Sequence, residues 1–126
     1  MELILKKEGY SVVQYPVSYQ ANLQHIEGFK SVIWTAEECS VVALTDQLDM
    51  TEATAVEDGW ALLQITGVLD FALTGILTQL ANPLADAGIS IFALSTYNTD
   101  YLLIKAVDVE KGMTVLKMAG HQLTIV

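Results

Sequence analysis

The sequence predicts an α+β fold in which two helices cover one face of an antiparallel sheet. Three observations in the second half carry that expectation. Apolar residues recur at 73, 76, 77, 80, 84 and 87, the spacing of an amphipathic helix. Two short apolar runs, Ile89–Ser95 and Tyr101–Lys105, flank a turn rich in hydroxyl and amide groups. A second helix follows from Asp108, with Glu110 in its first turn, Lys117 in its last, and Gly120 ending it.

From the amino terminus, Leu3-Ile4-Leu5, a Lys-Lys-Glu-Gly turn and Tyr10–Tyr15 read as a β-hairpin over residues 3–15, stopped by Pro16. Val17–Ile26 is weakly helical at best. A second hairpin joins Ser31–Thr35 to Cys39–Leu44 through Ala36-Glu37-Glu38. Residues 46–59 form an acidic connector whose acids lack a metal-ligand spacing. Trp60–Thr66 is then a strand broken by Gly67, and Pro83 interrupts the first helix because its ring opposes the carbonyl four residues back. Gly88 stands where a helix C-cap glycine belongs, and Val109, Met113 and Leu116 stripe the last helix. Leu123–Val126 is the closing strand.

The order from Trp60 is thus β-α-β-β-α-β, the ferredoxin-like sandwich. The first half reads as a degenerate copy of the same unit. We therefore expect two subdomains, residues 1–58 with the acidic connector and residues 59–126.

The chain has 126 residues, is 52% hydrophobic and has a formal net charge of −9. Such an apolar composition favours burial in a partner interface, and a homodimer is expected. Every basic residue is a lysine, so a nucleic-acid footprint with arginine forks is missing. No apolar run reaches membrane-span length, and the N-terminal charge order is the reverse of a signal peptide. A cytoplasmic protein without membrane contact is the expectation, and the single Cys39 agrees with a reducing compartment. Trp34, Trp60, Phe71 and Phe92 are expected in the core or an interface, and Cys39 as a buried small hydrophobe. His25 and His121 read as surface or helix-end residues. No phosphate loop, dinucleotide, hydrolase or zinc motif occurs, so neither catalytic residues, nor metal, nor cofactor are assigned.

The candidate site is a pocket for a small zwitterion. Asp70, Thr74, Gly75 and Ile76 open the first helix, where backbone N–H groups have no intrahelical partner and Gly75 lets a ligand carboxylate approach. Gly75 could equally allow close helix–sheet packing, and Asp70 could bond loop amides. Ser95, Thr96, Tyr97, Asn98 and Asp100 line the turn between the two later strands, either as turn formers or as ligand partners.

Residues 60–120 resemble an ACT domain. The likeness rests on Gly59-Trp60, Leu69-Asp70-Phe71 to Gly75-Ile76, Pro83-Leu84, Ala87-Gly88-Ile89 and Ser95-Thr96-Tyr97-Asn98-Thr99-Asp100. It is similar to the tandem ACT proteins of bacteria and the CASTOR-type cytosolic arginine sensors. The first half shares Trp34-Thr35 and Glu38-Cys-Ser-Val-Val with their amino-terminal partner unit. The resemblance implies a non-catalytic regulatory module that binds a free amino acid at an ACT–ACT interface and acts on a protein partner. It also implies that Asp100 meets a cationic ligand side chain while Thr96-Tyr97 lines the pocket. The other reading is a ligand-free oligomerisation scaffold of the same fold.

Overall fold

The computed structural model describes residues 1–67, 70 and 75–126. Seven strands and two helices follow in the order β1 (Glu2–Tyr15), β2 (Lys30–Trp34), β3 (Cys39–Leu44), β4 (Ala55–Ile65), α1 (Ile76–Asp86), β5 (Ile91–Ser95), β6 (Asp100–Lys105), α2 (Val109–Met118) and β7 (Gln122–Ile125). From β4 onward this is the expected βαββαβ order. The chain divides into a split unit, Met1–Lys7 with Trp60–Val126, and an inner unit, Glu8–Gly59. One boundary falls after Gly59. Residues 1–7, however, belong with the second half and not with residues 8–58.

The reason is β1. The expected hairpin over residues 3–15 is one continuous strand of 14 residues. Gly9 does not take the left-handed conformation that a tight turn would draw on. Leu3 and Leu5 are buried at the start of β1, and Ser11, Val13 and Tyr15 at its end, so one strand serves two cores.

In the split unit the strands run β7-β1-β4-β6-β5, so β1 separates the first and last strands of the βαββαβ pattern. Glu2–Leu5 pairs in parallel with Gln122–Ile125, while β6 pairs antiparallel with both β4 and β5. The core between sheet and helices holds Leu3 and Leu5 with Leu63, Ile65, Leu80, Leu84, Leu102, Ile104 and Leu116. The predicted helical stripe supplies Leu80 and Leu84 to that core, with Ile76, Leu77 and Ala87 packed against it. Alternation in β4 and β6 also buries Leu62 and Leu103 on the other sheet face.

Pro83 lies inside α1 and has no N–H for the Gln79 carbonyl. His121, expected as a surface or helix-end residue, follows the end of α2 but is buried, and it supplies the missing donor: its Nε2 meets the Gln79 carbonyl oxygen at 3.1 Å. Its Nδ1 lies 3.0 Å from the Met1 nitrogen, which donates to it. These two bonds fix the neutral Nε2–H tautomer. Gly112 makes the close helix–sheet packing, since a Cβ there would lie 3.1 Å from Ile104 Cδ1. Asp108 occupies the N-cap of α2 but makes no side-chain capping bond.

In the inner unit, β3 pairs antiparallel with β2 and with Tyr10–Tyr15 of β1. This confirms the second predicted hairpin. Val17–Ile26 contains no helix, and the acidic connector ends at residue 54, where β4 begins five residues earlier than expected. Val13, Tyr15, Cys39 and Val41 form a small buried core. Trp34 is not in it; the edge strand β2 leaves this side chain 54% exposed.

Candidate functional site

The turn between β5 and β6 places most of the predicted site residues. Ser95 and Asp100 face each other as the last cross-strand pair, and the Ser95 hydroxyl donates to Asp100 Oδ1 at 2.6 Å. Between them, the Thr96 N–H donates to the Thr99 carbonyl at 2.9 Å. The Thr96 hydroxyl donates to that same carbonyl and accepts from the Thr99 N–H, at 3.1 and 3.3 Å. Thr96 is thereby engaged in the turn itself. Tyr97 is 79% exposed and Asn98 is exposed. Asp100 is half-buried.

Thr99, read from the sequence only as a turn former, anchors this structure. Its side chain is buried, and its hydroxyl donates to the Ile65 carbonyl at 3.0 Å. The β5–β6 turn is thus tied to the last residue of β4. The connection from β4 to α1 leaves from that same strand end, beginning with Thr66, whose N–H and hydroxyl both donate to the Glu2 carbonyl at 3.1 and 3.2 Å. No sequence signal separates an anchoring threonine from an ordinary turn threonine; only the fold supplies the carbonyl.

At the far end of that connection, Gly75 is the N-cap of α1, with φ +71°. This left-handed conformation explains the glycine, because L side chains rarely adopt it. Its position is not closely packed; a Cβ there would meet Thr78 Oγ1 first, at 3.5 Å. As a glycine, Gly75 offers no side-chain cap of its own, and the Thr78 hydroxyl donates to the Gly75 carbonyl at 2.8 Å. A helix start carries a partial positive charge that attracts a carboxylate. Ile76 is half-buried and packs against the core, which makes it a wall residue and not a polar contact. Asp70 is exposed, while Thr74 lies outside the described residues, as do Leu69 and Phe71.

Two kinds of chemistry thus border one end of the split unit: a carboxylate–hydroxyl pair on the turn and the start of a helix. Among the described residues, no group of three or more His, Cys, Asp or Glu side chains is placed to hold a metal ion. No described helix is long and apolar enough to cross a membrane. Cys39 is buried as expected, and burial pushes its thiol pKa up, away from nucleophilic character.

A family model described as an ACT domain matches residues 55–118. Over 80 residues the chain is 35% identical to the human cytosolic arginine sensor for mTORC1 subunit 1, and equally to its Bos taurus counterpart. That stretch is 63% of this chain and 23% of the sensor, so the match spans less than a quarter of the relative's length. A crystallised Agobacterium tumefaciens protein shares the fold at TM-score 0.88 and 31% identity, covering 99% of this chain and 92% of that one. The regulatory subunit of aspartate kinase from Thermus thermophilus, at 11% identity and TM-score 0.65, shares the fold over 94% of this chain and 96% of its own.

Proposed function

Because the chain belongs to the ACT domain family, whose members are regulatory amino-acid-binding modules, we propose that it binds a free amino acid at the end of the split unit formed by the β5–β6 turn and the start of α1. The observation that carries this reading is the Thr99–Ile65 bond, which holds the turn at the strand end from which the chain leaves for α1. The backbone N–H groups at the start of α1 take the α-carboxylate, for which the chain has no arginine. Asp100, oriented by the Ser95 hydroxyl, takes a cationic side chain. The similarity to an arginine sensor makes arginine the first candidate. A second copy of the chain closes the open side, and a change in that assembly carries the signal to a protein partner. Such a signal requires the ligand to favour one assembly state over the other.

The test is a thermal-shift screen of the twenty amino acids, followed by calorimetry. L-Arginine at about 100 times its Kd should stabilise the protein by about 2.7 kcal/mol, and Asp100→Asn should weaken it about tenfold. A flat screen on folded protein would overturn the proposal. The scaffold reading then gains, favoured by Ile33 and Trp34, exposed on the edge strand β2.

A further inference from the structure

We propose that the inner unit carries a second binding site, a cleft lined by Tyr19, His25, Asp49 and Glu52 that takes a small organic cation lacking an acid group. The cleft measures about 300 Å³ and lies wholly within the inner unit. That volume is at the lower end of small-molecule sites, ~300–1,000 Å³, and suits a ligand of a few heavy atoms. Its apolar lining comes from Leu23, Ile26 and Leu48, of which Ile26 is fully buried. Its aromatic wall is rigid. Tyr19 stacks on Tyr15 with ring centres 3.8 Å apart and planes 5° from parallel, and the Tyr15 hydroxyl is fixed by donation to the Asp49 carbonyl at 2.6 Å.

Charge selects the class of ligand. The inner unit holds nine acids and one lysine. That lysine, Lys30, is not in the cleft lining; its Nζ donates to the Ile26 carbonyl at 2.6 Å. Asp49 Oδ1 accepts the Thr51 N–H at 2.9 Å, which holds its carboxyl below the usual range and keeps it ionised. Glu52 is exposed. Two carboxylates beside an aromatic ring and an apolar wall match an alkyl guanidine or amine, with the cation on the carboxylates and its methylenes on Leu23 and Ile26. A zwitterion is less well matched, since neither a lysine nor an arginine lines the cleft to receive its acid group. This separates the cleft from the site proposed on the split unit, and neither reading depends on the other.

The experiment is a titration of the isotope-labelled full chain with agmatine, which is arginine without its carboxylate, followed by amide chemical shifts. Saturable shifts should be confined to residues 19–26 and 47–52. Glu52→Gln should weaken binding about fivefold, and Tyr19→Leu likewise. L-Arginine should perturb these residues less than agmatine at equal concentration. Shifts that fail to saturate, that spread over acidic residues throughout the chain, or that persist unchanged in both Glu52→Gln and Tyr19→Leu would overturn the site.

Discussion

The split unit and the inner unit are made from the same strands, β1 and β4, yet they are held together differently. The split unit has two helices, fifteen buried apolar residues among those described, and six acids against five lysines. The inner unit has no α-helix, eight buried apolar residues, and nine acids against one lysine. Apolar area removed from water stabilises the first, at about 25 cal/mol per Å². The second leans on aromatic stacking and on hydroxyl anchors such as Tyr15 to Asp49 and Ser11 to Thr45, the latter at 2.6 Å. A unit with little core and one sign of charge is the more sensitive to solution conditions. The difference teaches that the two halves, similar in strand pattern, should respond to different perturbations.

The largest effect is expected where the split unit borrows its first strand. Leu5 is fully buried in the helix-covered core, so Leu5→Ala should cost about 3 kcal/mol in urea unfolding. A loss below about 1 kcal/mol, the range of surface substitutions, would mean that residues 1–7 do not complete this core. Next comes the anchor of the site. Thr99→Val keeps the shape but leaves the buried Ile65 carbonyl without its donor, at a cost of about 2 kcal/mol, while Thr99→Ser should recover most of it.

A third prediction concerns His121 and Pro83. His121→Ala strips the Gln79 carbonyl of its donor and should cost about 1.5 kcal/mol. In a Pro83→Ala background the restored N–H can serve that carbonyl, so the same change should cost about 1 kcal/mol less. Additive costs in the double-mutant cycle would show that the imidazole does not stand in for the missing amide.

Alkaline pH should single out the inner unit, which holds every described group whose proton affinity is raised. Burial pushes up Tyr15, aided by Tyr19 and Asp49, and burial also raises Tyr10 and Cys39. A raised folded-state pKa gives stability that is complete below the unfolded value, 10.0 for tyrosine, and is lost as pH climbs through the folded one. Absorbance titration should show Tyr15 ionising only together with unfolding. A reversible titration of all tyrosines near pH 10 in folded protein would contradict this. The smallest effect is ionic: raising salt from 10 to 150 mM (on the order of the span that shortens the Debye length from ~30 to ~8 Å) should stabilise the inner unit by less than about 1 kcal/mol. Amide exchange, slowed by salt in residues 8–59 and not elsewhere, would register it.

Much of the split unit was legible because its signals are local. The stripe through Leu80 and Leu84 fixed α1, and the alternation of β6 fixed a strand. The residues Ser95–Asp100 announced the turn, while the hydroxyl–carboxylate pair that closes it emerged only in the structure. The hairpin expected at residues 3–15 failed because Lys6–Gly9 satisfies the composition of a turn, whereas pairing partners far along the chain kept it extended. Thr99 and His121 were read only in part for a related reason. Each is defined by one carbonyl acceptor, Ile65 or Gln79, more than thirty positions away.

By itself, the sequence determined the βαββαβ order, the helix faces, the acidic and arginine-free character, and the turn chemistry of the candidate site. These depend on periodicity, composition and interactions between near neighbours. Only the tertiary structure decided that β1 serves two units, that Thr99 ties the turn to β4, and that His121 repairs the gap left by Pro83. Each of these is a choice of distant partner, and a hydrogen-bonding group carries no mark of its partner until folding has removed the competing water.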